Sequence, residues 1–297
     1  IMSFLSIADT TTADLTRMLE LGTAVKSDPS GYRTALVGKS IGLFFQKQSL
    51  RTWVSCDVAA IQLGIHPIAI RNEQTGLGVR ETPEDVGRVL ERYLDLLAMR
   101  VFDHNDLTNI DAVTDMPLVN LLSDLEHPCQ AVADLLTLAE HRPIEGSRVA
   151  YLGDGNNVCH SLILGVVKAG GAVTVATPSG YEPDPAVVEA ARAHGDVVLT
   201  DDPHEAVTGA DVVYTDVWAS MGQEEEAALR RRHFARFQVD DRIMAAAGPD
   251  AIFMHCLPAH RGEEVTDAVM ESGQSRVFDQ AENRLHAFKA VLLHLLG

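Results

Sequence analysis

The stretch that sets the fold spans residues 41–63 and reads IGLFFQKQSLRTWVSCDVAAIQL. Its first five residues are apolar and typical of a buried strand. A polar turn follows, and an apolar helix is predicted after it, containing Val54, Val58, Ile61 and Leu63. The stretch therefore predicts one strand, one loop and one helix in succession.

The loop of this unit carries Ser49, Arg51 and Thr52. Because the first turn of a helix presents unpaired N–H groups and the positive end of the helix dipole, these side chains would bind a phosphate there. The alternative is an ordinary cap, in which a hydroxyl group closes the helix start and the arginine is solvated. The local pattern leaves both interpretations open.

The same alternation of short apolar runs and longer amphipathic stretches extends along the whole chain. It predicts an α/β fold of parallel sheets covered by helices. A further helix is predicted over residues 82–97, because Thr82-Pro83-Glu84-Asp85 supplies an N-cap, a first-turn proline and acids. The predicted strands are 41–45, 67–70, 99–102, 118–122, 148–153, 172–177, 197–199, 212–216 and 252–257.

A hinge is predicted at residues 141–146, where proline and glycine interrupt the pattern just before a new strand. We expect two domains, residues 1–140 and 147–280, each a parallel sheet covered by helices. A last apolar helix is predicted over residues 283–297. Its pattern allows it to pack on either domain, and we expect it to return to the first.

Composition and charge exclude several classes of function. Asp and Glu number 42 against 24 Lys and Arg, and the formal charge of −18 argues against a nucleic-acid-binding surface, which needs clustered cations. No apolar run approaches the roughly 20 residues of a membrane helix, and the first residues lack a secretory signal. The four cysteines have no CxxC spacing. We therefore expect a soluble cytoplasmic protein that acts on small molecules, without nucleic-acid or membrane partners.

A second candidate site is His127-Pro128-Cys129-Gln130, which precedes the predicted helix 131–139. On a first helical turn, His127 and Gln130 can bind a carbonyl oxygen and an amide group. Arg100, near the end of a predicted strand, could join them. A histidine at a helix start is more often a cap or a surface residue.

Residues 153–158, Gly-Asp-Gly-Asn-Asn-Val, resemble the first part of a dinucleotide-binding turn. The final glycine of that fingerprint is missing, which weighs against a nicotinamide-dependent oxidoreductase. The asparagines, among them Asn157, are suited instead to a zwitterionic head group.

Three further segments follow predicted strands or begin the last helix. Asp216 ends a strand and could receive an ammonium group, although an N-cap loop is the simpler interpretation. His255-Cys256-Leu257-Pro258 ends another strand, and zinc is disfavoured there because no second ligand pair has metal spacing. The remaining segment is Glu282-Asn283-Arg284.

Taken in order, these segments resemble the ornithine carbamoyltransferase family, and the resemblance runs from Phe4 to Leu296. The residues that carry it are His127-Pro128-Cys129-Gln130, Gly153-Asp154-Gly155-Asn156-Asn157, Asp216-Val217-Trp218 with Ser220-Met221-Gly222, His255-Cys256-Leu257-Pro258 and Ala281-Glu282-Asn283-Arg284. Aspartate-specific relatives carry Thr in place of Cys129 and lack the Ser-Met-Gly segment. The resemblance implies a carbamoyl phosphate-binding first domain, an ornithine-binding second domain, and formation of citrulline for arginine metabolism.

The resemblance also implies roles for individual residues. Arg100, His127, Asp216 and Cys256 would be catalytic. Carbamoyl phosphate would be bound by Ser49, Leu50, Arg51, Thr52, Arg100, His127, Gln130, Cys256, Leu257 and Arg284. Ornithine would be bound by Asn157, Asp216, Ser220 and Met221. No cofactor or metal is implied, and a homotrimer or a multiple of it is expected.

Three residues depart from the family pattern, all on the carbamoyl phosphate side. Leu50 and Trp53 stand where the phosphate motif usually has Thr and Arg, and Gly76 stands where a loop donated to a neighbouring subunit usually has Gln or His. Two alternatives stay open, and the departures favour the second of them. One is a carbamoyltransferase for another amine, such as putrescine, an acylated ornithine or a secondary metabolite, and the other is a non-catalytic paralogue.

Overall fold

The computed structural model describes residues 3–219 and 226–297. The chain divides into two compact units. Unit 1 comprises Ile1–Leu136 and Glu282–Gly297, and unit 2 comprises Thr137–Ala281. The division falls within two helices rather than at the predicted hinge, residues 141–146.

Unit 1 contains a four-stranded parallel sheet in the order β2-β1-β3-β4. Its strands are β1 (Ser40–Phe45), β2 (His66–Arg71), β3 (Leu96–Arg100) and β4 (Leu118–Leu122). Its helices are α1 (Thr12–Ser27), α2 (Leu50–Gln62), α3 (Asn72–Thr75), α4 (Pro83–Leu90), α5 (His104–Asp111) and the start of α6 (Pro128–His141).

Unit 2 contains a five-stranded parallel sheet in the order β7-β6-β5-β8-β9. Its strands are β5 (Arg148–Leu152), β6 (Ala172–Ala176), β7 (Val197–Thr200), β8 (Val212–Thr215) and β9 (Ile252–His255). Its helices are α7 (Asn157–Lys168), α8 (Pro185–Arg192), α9 (Pro203–Val207), α10 (Ala227–Phe234), α11 (Asp241–Ala247), α12 (Asp267–Met270) and the start of α13 (Val277–Leu296).

The predicted fold class, two parallel sheets covered by helices, is confirmed. Strands β3 and β4 are buried along their whole length, which explains why their sequences are mostly apolar instead of alternating with polar residues. Each sheet brings its loops together at one edge, because all its strands run in the same direction. That edge carries most of the candidate residues.

Two element predictions were wrong in their bounds. The helix predicted over residues 82–97 ends at Leu90, where Tyr93 and Leu94 donate backbone hydrogen bonds to the Leu90 carbonyl in a turn. The strand predicted over residues 99–102 lies earlier, at Leu96–Arg100. Leu96–Met99 is apolar throughout, and such a short run fits either element until its partner strands are known.

The return of the C-terminal helix to the first domain is confirmed. Lys26 Nζ on α1 donates to Asn283 Oδ1 on α13 at 2.9 Å, and His294 Nε2 lies 3.4 Å from Asp14 Oδ1. Helix α13 begins earlier than predicted, at Val277.

Candidate active site

The first turn of α2 lies directly after β1 in unit 1. Ser49 is its N-cap, and its Oγ accepts a hydrogen bond from the Thr52 backbone N–H at 3.4 Å. The Ser49 hydroxyl also lies 3.0 Å from Thr52 Oγ1. Arg51 occupies the same turn, half-buried. The capping and phosphate-binding interpretations are therefore compatible, because the capped turn still presents its dipole end.

Arg100 is the last residue of β3, and it is buried. It pairs in register with Phe45, the last residue of β1, so it lies beside the strand that leads into the α2 turn. The pairing of β3 with β4 shifts between Met99 and Arg100. A strand-end irregularity of this kind redirects side chains at the edge of a sheet.

Arg284 connects the remaining predicted residues of unit 1. Its Nη2 donates to Thr52 Oγ1 at 2.7 Å, and its Nη1 donates to Gln130 Oε1 at 2.9 Å. Gln130 Nε2 donates in turn to Asp134 Oδ1 at 2.8 Å. A planar guanidinium group can hold two partners in fixed directions, so Arg284 ties the α2 turn to the first turn of α6.

His127 is buried immediately before α6. Burial lowers the pKa of its imidazole well below the ordinary value, and the Arg284 and Arg100 charges lower it further. The imidazole is therefore neutral near pH 7. A neutral ring can donate one hydrogen bond to a carbonyl oxygen without adding a charge to the region.

Two of the three departures from the family pattern, Leu50 and Trp53, lie on the exposed face of α2, and the third, Gly76, follows α3. Leu50 is 74% exposed and Trp53 is 40% exposed. The Arg71 guanidinium lies 5.7 Å from the centre of the Trp53 ring. Gly76 has φ +63, a conformation that glycine adopts without strain.

Asp216 follows β8 in unit 2, and both of its carboxylate oxygens have partners. Asn156 Nδ2 donates to Oδ2 at 2.9 Å, and the Cys256 thiol donates to Oδ1 at 3.0 Å. Asn156 caps α7, since its Oδ1 accepts from the backbone N–H groups of Val158 and Cys159. The sequence interpretation missed Asn156 as an Asp216 partner, although it stands inside the Gly-Asp-Gly-Asn-Asn motif.

The other predicted acceptor residues are only partly described. Asn157 is the first residue of α7, next to Asn156. Ser220 and Met221 lie outside the described residues. Cys256 and Leu257, predicted to contact carbamoyl phosphate, are in unit 2 directly after β9.

Asp216, His255 and Cys256 each bring one possible metal-ligand atom within 4.8 Å of the others. The hydrogen bonds of His255 nevertheless leave no ring nitrogen for an ion at this cluster. Its Nδ1 accepts from the Leu257 N–H at 2.8 Å, so its Nε2 carries the proton and faces Glu264 Oε1 at 3.1 Å. Both ring nitrogens are therefore engaged in hydrogen bonds at the end of β9, and neither offers a lone pair to a metal ion.

Among the described residues, no helix is both long enough and apolar enough to cross a lipid bilayer.

Comparison with known proteins identifies the class of this two-unit molecule. Family models match both halves: "Aspartate/ornithine carbamoyltransferase, carbamoyl-P binding domain" at residues 2–140, and "Aspartate/ornithine carbamoyltransferase, Asp/Orn binding domain" at residues 145–295. The chain belongs to the aspartate/ornithine carbamoyltransferase family.

Individual relatives are similar over nearly the full chain. The ornithine carbamoyltransferase of Trichormus variabilis is 49% identical over 298 residues, covering 99% of this chain and 96% of the relative. That of Pyrococcus abyssi is 52% identical over 268 residues, covering 88% and 84%. The solved ornithine carbamoyltransferase structure from Pyrococcus furiosus aligns with a TM-score of 0.96 at 47% identity, covering 100% of this chain and 97% of that one.

Proposed function

We propose that this protein transfers the carbamoyl group of carbamoyl phosphate to the side-chain amine of L-ornithine, giving L-citrulline and phosphate. The observation that carries the proposal is the network in which Arg284 joins Thr52 of the α2 turn to Gln130 of α6. It supports one compact, cationic region suited to a phosphorylated, amide-bearing donor.

In unit 1, we assign the phosphate to the α2 turn and the carbamoyl group to α6. Ser49, Arg51 and Thr52 bind the phosphate oxygens with the main chain of Leu50, at the positive end of the helix. Arg100 and neutral His127 donate to the carbonyl oxygen, and Gln130 orients the amide NH2 group. The guanidinium of Arg284 stabilises the phosphate as it leaves.

In unit 2, we assign the amino acid to Asp216 and the neighbouring asparagines. A carboxylate binds an ammonium group through a charge-assisted hydrogen bond, and Asn157 supplies an amide for the other end of the head group. Ser220 and Met221 complete this assignment by the family resemblance. Cys256 donates to Asp216, which supports a role for the pair in orienting the amine or accepting its proton. By the same family resemblance, we assign the main chain of Cys256 and Leu257 to binding of the carbamoyl group.

The reaction is a single group transfer. The lone pair of the neutral amine attacks the carbonyl carbon, the carbon–oxygen bond to phosphate breaks, and the amine loses a proton. Developing negative charge on the carbonyl oxygen is stabilised by Arg100 and His127.

A citrulline assay with a panel of amines tests the proposal. Purified protein is incubated with carbamoyl phosphate and ornithine, putrescine, acetylornithine or aspartate, and the carbamoylated products are measured. We expect kcat/KM to be highest for ornithine. A preference for another amine would reassign the acceptor, and inactivity with every amine would support the non-catalytic alternative.

We further propose that the protein is a homotrimer or a multiple of it. Exposed apolar side chains lie along α2 and on β2, an edge strand of the unit 1 sheet: Leu50, Val54, Ile61 and Ile68. An exposed apolar surface of this kind suits contact with another copy. Sedimentation equilibrium should give a mass near three times 32.2 kDa, and a fully active monomer would contradict the proposal.

We place the protein in the cytoplasm. All four cysteines, Cys56, Cys129, Cys159 and Cys256, are free thiols, which suits a reducing compartment. Cell fractionation followed by the citrulline assay tests this, and activity confined to an extracellular fraction would contradict it.

A further inference from the structure

Arg230, on α10 in unit 2, is a buried arginine that the proposed chemistry leaves unused. Buried arginines need charged or carbonyl partners, because an unpaired cation removed from water costs several kcal/mol. The partners of Arg230 therefore indicate what it does.

One nitrogen of Arg230 holds two separate segments of the chain. Its Nη1 lies 3.0 Å from Asp154 Oδ2 and donates to the Trp218 carbonyl at 2.9 Å. The same guanidinium lies 4.9 Å from the centre of the Tyr181 ring, and its Nε donates to Glu226 Oε2 at 3.2 Å. The side chain is thus fixed on several sides.

These two segments are the ones that carry the Asp216 hydrogen bond. Asp154 stands two positions before Asn156, and Trp218 stands two positions after Asp216. Asn156 and Asp216 are joined by the 2.9 Å bond from Nδ2 to Oδ2. Arg230 therefore ties together the backbone on both sides of that bond.

The turn that carries Asp154 has little freedom of its own to move. A Cβ atom on Gly155 would lie 2.2 Å from Pro183 N, and the Gly155 N–H donates to the Tyr181 carbonyl at 2.9 Å. The Tyr151 hydroxyl donates to the Asp154 carbonyl at 2.9 Å. A displacement of Asp154 is consequently transmitted to Asn156 rather than absorbed between them.

We propose that Arg230 is a positioning residue for the acceptor amino acid: through Asp154 and Trp218 it sets the direction in which Asp216 presents its carboxylate. This inference rests on the proposed function, because it assumes that Asp216 binds the acceptor. Arg230 does not touch the substrate in this scheme. Its loss weakens acceptor binding and leaves carbamoyl phosphate binding in unit 1 unchanged.

The charge state of Asp154 adds a pH dependence. Burial raises its pKa to about 6, Arg230 lowers it, and Asp216 and Glu226 raise it. Burial raises the pKa values of the neighbouring Tyr151 hydroxyl and Cys159 thiol well above their ordinary values. Both groups therefore stay neutral between about pH 5.5 and 8. As the pH falls through about 6, Asp154 becomes neutral and its ion pair with Arg230 is lost.

The experiment compares two adjacent arginines of one helix. Arg230→Met keeps an unbranched stem and removes the guanidinium. Arg231→Met is the matched control, because the Arg231 side chain is 54% exposed and forms a surface ion pair with Glu263. We expect Arg230→Met to raise the KM for ornithine by about tenfold to hundredfold, the effect of losing a hydrogen bond to a charged group. The KM for carbamoyl phosphate should stay within about twofold in both variants.

The second arm uses the isosteric variant Asp154→Asn and an unreactive acceptor. L-2-Aminopentanoate has the head group and carbon chain of ornithine without the side-chain amine, and neither of its groups titrates between about pH 5.5 and 8. Its inhibition constant for the wild-type enzyme should rise as the pH falls through about 6, and this step should be absent in Asp154→Asn. Arg230→Lys replaces the planar guanidinium with a single ammonium charge. It should recover part of the ornithine affinity that Arg230→Met loses.

The outcomes separate this inference from the proposed function. A wild-type protein that makes no citrulline contradicts the proposed function. If the wild type is active, a normal ornithine KM in Arg230→Met, or equal rises in both KM values, overturns the inference and leaves Arg230 with a folding role. If Arg230→Met does not fold, the pH profile of Asp154→Asn decides, and an unchanged acid-side step there overturns the inference.

Discussion

The α2–α6 region of unit 1 and the Asp216 region of unit 2 present side chains of opposite charge. The first gathers Arg100, Arg284 and a neutral His127 around a helix start. The second presents a carboxylate held by an amide and a thiol. A chain with a formal charge of −18 thus concentrates two arginines in one place, so net charge says little about an individual site.

The two regions also differ in how closely they keep the family pattern. Leu50, Trp53 and Gly76 all depart on the donor side, while the described acceptor motifs are intact. Leu50 and Trp53 are exposed, and the hydrogen-bonded donor network of buried Thr52, buried Gln130 and half-buried Arg284 does not include them. We infer that the donor region tolerates substitutions at its exposed rim because this hydrogen-bonded network carries most of the carbamoyl phosphate binding.

The largest expected effect comes from the donor region. Arg100→Ala should lower kcat by about 10² to 10³, because in the proposed mechanism the hydrogen bond from Arg100 to the carbonyl oxygen strengthens as negative charge develops there. The KM for ornithine should change by less than about twofold. Steady-state kinetics with each substrate varied in turn measure both.

Arg88→Ala is the control for that substitution, since Arg88 is an exposed arginine of the same unit paired with Asp85. It should leave kcat unchanged. A loss below about threefold in Arg100→Ala would remove Arg100 from the reaction centre and weaken the contrast between the regions.

A smaller, opposite signature is expected from the acceptor region. Asp216→Asn keeps the shape of the side chain but removes its charge, so the KM for ornithine should rise by about tenfold to hundredfold. The KM for carbamoyl phosphate should be unaffected. Asp267→Asn, at an exposed carboxylate of the same unit, is the matched control. Equal increases in both KM values would show that the regions do not divide the substrates as proposed.

The smallest effect tests the departures themselves. Leu50→Thr with Trp53→Arg restores the family pattern and should tighten carbamoyl phosphate binding by up to about fivefold, since an exposed charge contact contributes ~1 kcal/mol or less. Binding of a bisubstrate phosphonate inhibitor should tighten similarly. Calorimetric titration of the wild type and the double variant measures both ligands.

Gln62→Arg adds a charge at the exposed end of α2, far from its start and outside the apolar surface, and serves as the control. It should leave both affinities unchanged. Unchanged or weaker binding in the double variant would mean that Leu50 and Trp53 belong to packing, with Trp53 serving as the surface on which Arg71 rests.

Much of the fold could be predicted because its local signals agree with one another. The apolar run 41–45 and the polar turn at Ser49 predict β1 and the start of α2, and the structure has them at Ser40–Phe45 and Leu50. Thr82-Pro83 predicts the start of α4 for the same reason. Caps and strand periodicity depend on a few neighbouring residues, so the sequence alone determined them.

The candidate sites depended on the tertiary structure to a greater extent. The sequence could nominate Arg284, Thr52 and Gln130, but only the packing of α13 on unit 1 brings them into one hydrogen-bonded set. The link from Arg230 to Asp154 and Trp218 has no local signature at all. Contacts between residues distant in the chain are decided by how sheets and helices pack, and burial then sets the charge states of His127 and Asp154.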